Sequence, residues 1–319
     1  MTVLKGGLPH IFTWGCRREK SQIVLSAFAR HEELPLLIAA SVFSESDQRR
    51  AAELDAADWS DRRVSMSKIH RVVIPVDSHD PTAWDLAVTY ADKICEVGGD
   101  KVRNVVLLIH TKAQLKHTDL ARFVGDAQSK RLDKGEALNM PSSAKLKCET
   151  LRTVGTMLPP TTVVIAYWAD MEMMDKIDGL RNVAGVVAVP EFPDNVKDWE
   201  TRWGPIIHGK EKAVETSLIA DPIIEKAMRS LDVMVNRSTG IGHPRDKQSA
   251  NEVFRILRNK GHLLDPNAIK SWAIRAGWAP RGATDLAALA SKIAGLKAKP
   301  SLSAIYGAED RYARWKAES

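Results

Sequence analysis

The sequence predicts an α/β fold: a doubly wound, mostly parallel sheet of about six strands, followed by a small all-α C-terminal domain. Three observations carry that reading. Short β-branched and apolar runs recur with helix-like stretches between them. The runs are continuously apolar instead of alternating, as strands buried on both faces must be. After HGKEK at 208–212 the strand pattern stops and only helical patterns remain.

The six runs are HIFTW (10–14), LPLLIAAS (34–41), HRVVIPVD (70–77), VRNVVLLIHT (102–111), TTVVIAYWA (161–169) and AGVVAVPE (184–191). Between the first two, residues 17–31 place Ile23, Val24, Ala27 and Phe28 on one helical face. Between the third and fourth, residues 81–97 do the same with Trp84, Ala87, Val88, Ala91 and Cys95, opened by Asp80 as N-cap and Pro81 at the first helical position. Strand and helix alternating in this way define the α/β class. An irregular insertion at about 126–160 reads as a small β-hairpin or a lid. These elements make a Rossmann-like domain over residues 1–212.

Residues 213–298 read as a four-helix domain. Asp221 and Pro222 open a helix whose core face is Ile224, Ala227, Met228, Leu231 and Val235, and the loop NRSTGIGHPRD ends it. A second helix, about 246–260, buries Ala250, Val253, Phe254 and Leu257. Asp265 and Pro266 open a third, with Ile269, Trp272, Ala273 and Ala276 inside and a Schellman end at Gly277 and Trp278. The fourth runs from about Thr284 to Ala294. Residues 299–319 read as a tail, with Tyr312 and Trp315 available to dock it.

At 44% hydrophobic and 27% charged residues, the composition excludes disordered, collagenous and coiled-coil proteins. Cys16, Cys95 and Cys148 are odd in number and far apart, with no CxxC, which argues against both a disulfide framework and a zinc site. There is no signal-peptide h-region, and the longest mostly apolar run, 34–43, is about half a membrane span, so a cytoplasmic protein without a membrane partner is expected. The formal charge of +6 is unevenly placed: residues 215–319 hold 17 Lys and Arg against 11 Asp and Glu, whereas residues 1–214 hold 29 of each. That surplus favours anionic partners.

No motif in the chain identifies a reaction, so candidate residues come from topology. In an open parallel sheet, ligands bind outside the carboxyl ends of the strands. Those ends carry Gly15, Cys16, Ser41, Asp77, Ser78, His79, His110, Thr111, Lys112, Asp170 and Glu191. Asp77, His79 and Asp170 are the candidate catalytic groups, and His110, Lys112 and Glu191 the candidate ligand contacts; such a set suits acid/base chemistry or hydrolysis assisted by Mg²⁺. The segment DSHDP also has a plainer reading, as a turn and a helix cap. Trp168, two residues before Asp170, is the tryptophan expected nearest a ligand; most of the nine are expected to pack in cores and interfaces.

TWGCRREKS follows the first run and ends in Lys20 and Ser21, but lacks the second glycine of a P-loop, so Lys20 and Ser21 are left as an anion site at a helix N-terminus. No GxGxxG follows any strand run, and GxSxG and HExxH are absent. In the helical domain, Lys247, Asn251, Arg255 and Arg258 share one face and could track phosphates. The helix pair joined by GWAPRG has a helix-turn-helix outline, but TDLAALASKIA carries almost nothing that reads bases, so nucleic-acid binding would not be sequence-specific. The functional expectation is therefore a protein that binds a phosphorylated small molecule or nucleotide at the strand ends, as a hydrolase or transferase. The alternatives are a nucleic-acid-associated protein working through Lys247, Arg255 and Arg258, and a protein-interaction scaffold.

Overall fold

Four of the six apolar runs become strands in the middle of one sheet. The computed structural model describes residues 69–211 and 217–319; the runs at 10–14 and 34–41, the helix between them, and Lys20 and Ser21 lie outside those residues. In chain order the elements are β1 (His70–Val73), α1 (Pro81–Gly98), β2 (Asn104–Ile109), α2 (Lys112–His117), α3 (Asp119–Val124), α4 (Asp126–Asp133), β3 (Leu138–Asn139), β4 (Lys145–Thr150), β5 (Met157–Ala169), α5 (Met171–Asp178), β6 (Arg181–Pro190), α6 (Lys197–Trp203) and β7 (Ile206–Ile207). Among the described residues the sheet has seven strands, not the expected six, in the order β3-β4-β2-β5-β6-β1-β7. All neighbours pair in parallel except β3 and β4.

Three strands escaped the sequence pattern, each for a physical reason. β4 lies in the stretch read as an irregular insertion; its sequence KLKCET alternates exposed and covered positions, so it lacks the continuous apolar run of the central strands. β3 and β7 are two residues long, too short for any period to show. The stretch at 126–160 is therefore a helix, a short hairpin and a full member of the sheet.

The continuous runs are explained by a core on each face. Along β2, Val105, Leu107 and Ile109 face α1, α2, α3 and α4, where Trp84, Leu115, Leu120 and Leu132 meet them. Val106 and Leu108 face the other way, toward Met173, Met174 and Ile177 of α5 and Trp199 of α6. A period of two divides each run between two apolar layers, so every position must be apolar. Each fully buried aliphatic side chain contributes about 1.5–3 kcal/mol.

The C-terminal region is helical: α7 (Pro222–Met234), α8 (Pro244–Asn259), α9 (Pro266–Arg275), α10 (Pro280–Ala294) and α11 (Ala308–Ala317). The core faces expected for the first three helices are those observed, with Ile224, Leu231, Phe254, Leu257 and Ile269 among the buried residues. α10 begins at Pro280, a turn earlier than expected, because proline needs no donor at the first helical position. The segment 299–319, read as a tail that Tyr312 and Trp315 could dock, carries α11, whose Trp315 is 2% exposed in the same core. Only Ala308 and Trp315 of α11 are buried, which leaves too few apolar residues for a helical period in the sequence. Among the described residues no helix is long and apolar enough to cross a membrane.

Two glycines bring the loop after α7 against α10. Gly240 has φ +56°, and a Cβ on it would lie 2.5 Å from Cα of Gly282; a Cβ on Gly282 would lie 2.9 Å from Cα of Gly240. Backbone meets backbone there, with no flexible side chain to give way.

A buried carboxylate ties α5 to α6, and its neighbour Asp175 reaches the helical region. Asp178, at the end of α5, accepts from Trp199 Nε1 at 3.2 Å, Trp203 Nε1 at 3.0 Å and Arg202 Nη1 at 2.6 Å. Arg202, at 1% side-chain exposure, also reaches Asp175 at 3.0 Å, and Asp175 is ion-paired with Lys270 of α9. The Arg71 guanidinium lies 3.6 Å above the Trp203 ring, where burial brings its pKa down to about 10 although Asp178 opposes that shift. Positions 199, 202 and 203 share one face of α6, so one helix delivers all three donors.

Breaking a buried ion pair from one side leaves an uncompensated charge. Arg202→Ala is expected to destabilise the protein by about 3–5 kcal/mol, read as a lower denaturant midpoint. Gly282→Ala, which overpacks the contact with Gly240, should cost about 1–3 kcal/mol in the same measurement.

Candidate functional site

The route of the chain opens two crevices at the carboxyl edge of the sheet. β1 and β2 lead into helices on the α1 face, whereas β5 and β6 lead into α5 and α6 on the opposite face. In the order β2-β5-β6-β1 the outgoing chain therefore changes face between β2 and β5, and again between β6 and β1. Adjacent strands whose connections diverge leave room for a ligand between them.

At the first crevice the structure brings His110 and Asp170 together. His110 follows β2 and Asp170 follows β5, and His110 Nε2 lies 3.6 Å from Asp170 Oδ2. The same nitrogen is 3.1 Å from the Trp168 carbonyl, which can only accept, so Nε2 carries the hydrogen. Asp170 is also the N-cap of α5, taking the Met173 N–H on Oδ1 at 2.8 Å. One carboxylate thus fixes a helix start with one oxygen and faces an imidazole with the other.

A bulge in β5 makes this possible. The pairing of β5 with β6 shifts between Tyr167 and Ala169, and Trp168 has φ +57°. The extra residue turns Tyr167 and Trp168 to the same face, and both join the α1-side core. A bulky residue in the left-handed region costs about 1–3 kcal/mol and persists only where its surroundings hold it. Here the rings of Tyr167 and Trp168 meet edge to face at 4.8 Å, and Trp84 meets Tyr167 at 6.0 Å.

Tyr167 links the first crevice to the second. Its hydroxyl donates to the Ser78 carbonyl at 2.8 Å, holding the turn after β1 from beneath. Burial pushes the Tyr167 phenol up, and Asp77 and Asp80 add to that. In the turn itself Asp77 Oδ1 accepts from the His79 N–H at 2.9 Å, and Asp80 caps α1 through the Thr82 N–H at 2.8 Å. The turn-and-cap reading of DSHDP describes these bonds. The His79 ring points across to Asp119 of α3, with Nδ1 3.3 Å from Oδ2.

The remaining expected residues are dispersed. Lys112 opens α2, but its Nζ donates to the Asp133 carbonyl at 2.9 Å, toward α4. Glu191 is exposed after β6, followed by exposed Phe192. Among the described residues no three His, Cys, Asp or Glu side chains converge in a group that would hold a metal ion. Sequence reasoning missed Asp119 and Tyr167, because the first sits within a helix start and the second inside an apolar run. In the helical region Lys247 is exposed, whereas Arg255 donates to the Ser301 carbonyl at 3.1 Å and its neighbour Asn259 holds Pro300 at 3.0 Å. A groove of about 530 Å³ lies between α5 and the first turn of α10 and includes Glu172, Lys176, Leu180 and Arg281. None of the site residues expected from the sequence lines it.

Comparison with known proteins reaches the helical region alone. Residues 220–316 match a family model described as a domain of unknown function, DUF1889. No curated protein and no solved structure matches the chain. The two crevices lie wholly outside the matched segment.

Tyr167→Phe removes the donor beneath the turn and leaves a buried carbonyl unpaired. A loss of about 1–3 kcal/mol is expected, measured by thermal unfolding, with hydrogen exchange rising first in the turn at 77–80.

Proposed function

We propose that the protein binds a phosphorylated small molecule, of the nucleotide or sugar-phosphate kind, at the carboxyl ends of β2 and β5. The observation that carries this reading is the pair His110 and Asp170, 3.6 Å apart where the chain changes face, beside the strained Trp168. Strain held in a crevice of this kind marks functional sites more often than ordinary loops. The topology that goes with it is a doubly wound, Rossmann-like sheet.

An imidazole and a carboxylate side by side supply the acid and the base that phosphoryl hydrolysis or transfer needs. Asp77 and His79 serve the second crevice in the same reading. Asp77, Asp80, Asp119 and Asp170 make the strand ends acidic, so a phosphate arrives with its charge covered. Mg²⁺ suits that task, because it is held by one or two carboxylates together with phosphate oxygens and its own waters. The ion is then carried in by the ligand and needs no protein cage of three groups.

The test is a thermal-shift and calorimetry panel of nucleotides and sugar phosphates, with and without Mg²⁺. A ligand at about 100 times its Kd should add about 2.7 kcal/mol of stability. His110→Ala and Asp170→Asn should each weaken the responding ligand at least about tenfold, a loss of about 1.4 kcal/mol. Asn retains the cap of α5, so the second variant isolates the charge. A flat panel, or variants that bind as the parent does, would remove this reading. A short DNA duplex in the panel at two salt concentrations addresses the alternative: binding only at low salt, lost in Lys247→Ala, would move the function to the helical region.

A further inference from the structure

The helical region holds an ordered row of three polar side chains that the strand-end reading does not use. Asp221 is the N-cap of α7, and its Oδ1 accepts from the N–H groups of Ile223 at 2.9 Å and Ile224 at 3.4 Å. That leaves Oδ2 for His262 Nδ1, at 2.6 Å, from the loop between α8 and α9. His262 Nε2 in turn lies 3.1 Å from the hydroxyl of Tyr312 on α11. A carboxylate only accepts, so the hydrogen sits on Nδ1; in the neutral ring Nε2 offers its lone pair and the phenol donates to it. The imidazole side chain is 12% exposed and the Asp221 side chain 33%. Burial raises the Asp221 carboxyl, but the bonds from His262 and the two N–H groups outweigh it and hold the group below the ordinary carboxylate range.

The order is that of an activated nucleophile: a hydroxyl, a base within reach of its proton, and a third group that orients the base. The row joins elements from three places in the chain, which is more than capping a helix requires. Lys260 Nζ stands 5.2 Å from the Tyr312 ring, and the surplus positive charge of the chain lies in this region. The Lys260 ammonium is ion-paired with Glu309, so the attraction for an anionic substrate comes from the surplus charge of the region. The other tyrosines stand in different settings. Tyr306 is 98% exposed, Tyr167 is buried against the sheet, and Tyr90 meets His208 at 3.0 Å but has its phenol pushed up by burial.

We propose that Asp221, His262 and Tyr312 form a second reactive centre, in which Tyr312 attacks the phosphorus of a phosphodiester. The Tyr312 oxygen forms the new P–O bond as the bond to the leaving alcohol breaks, and the phenol proton passes to His262 Nε2. The imidazolium, held by Asp221, returns that proton to the leaving oxygen. Charge and atoms balance without a further reactant, and the product is a phosphodiester of Tyr312.

The test uses the full chain and bis(4-nitrophenyl) phosphate. Release of about one equivalent of 4-nitrophenolate is expected, with the matching adduct mapped to Tyr312 by peptide mass spectrometry and none on Tyr306. Tyr312→Phe should abolish the burst, and Asp221→Asn, which keeps a good helix cap, should slow it at least about tenfold with an unchanged circular dichroism spectrum. Labelling of Tyr306 at the same rate as Tyr312, or no adduct on Tyr312, would mean that the row is a clamp holding α11 and would overturn the proposal. Neither result bears on His110 or Asp170.

Discussion

Removing Asp178 from water is the constraint on which the arrangement of this molecule rests. A carboxylate buried between two helices costs several kcal/mol unless its lone pairs are filled. Here they are filled by two indole N–H groups and a guanidinium from one face of α6, an arrangement that only one seating of α6 on α5 allows. The neighbouring Asp175 then extends the same network to Lys270 of α9. Hydrophobic contact alone would let α6 slide on α5; directional bonds to a buried charge do not.

A similar economy operates at the strand ends, where individual polar groups perform two tasks. Asp170 starts α5 and faces His110, and Asp80 starts α1 while shaping the turn that Tyr167 supports. The helix starts at this edge are consequently committed to their own caps. A ligand there would meet side chains and the few remaining N–H groups, which is why the proposed binding leans on an imidazole and on a metal ion carried by phosphate. In the helical region Asp221 repeats the pattern with a cap on one oxygen and His262 on the other.

Much of the fold was legible because burial imposes periodicity. β1, β2, β5 and β6 announce themselves as unbroken apolar runs, since each feeds two cores, and Asp80, Asp221 and Asp265 before proline mark helix starts that the structure retains. What was hidden has little or no period: the alternating β4, the two-residue β3 and β7, and α11, which buries only Ala308 and Trp315. The site was less legible. His110 and Asp170 were named as strand-end residues, but their meeting depends on β2 and β5 being neighbours, which no local pattern encodes. The bulge at Trp168 was also invisible, because AYWA reads as uninterrupted strand.

The manner in which Asp178 is satisfied gives the molecule a built-in optical probe. Trp199 and Trp203 donate to one buried carboxylate, and a cation lies against the second ring, so the emission of both indoles depends on the same few atoms. Trp199 is buried in the second sheet core, whereas Trp203 also packs against the helical core, so separation of the helical region from the sheet would expose Trp203 while the two sheet cores remain intact. The emission of Trp203, isolated by comparison with Trp203→Phe, thus follows parting of the two layers as an event separate from unfolding, and far-ultraviolet dichroism of the same sample follows the unfolding itself.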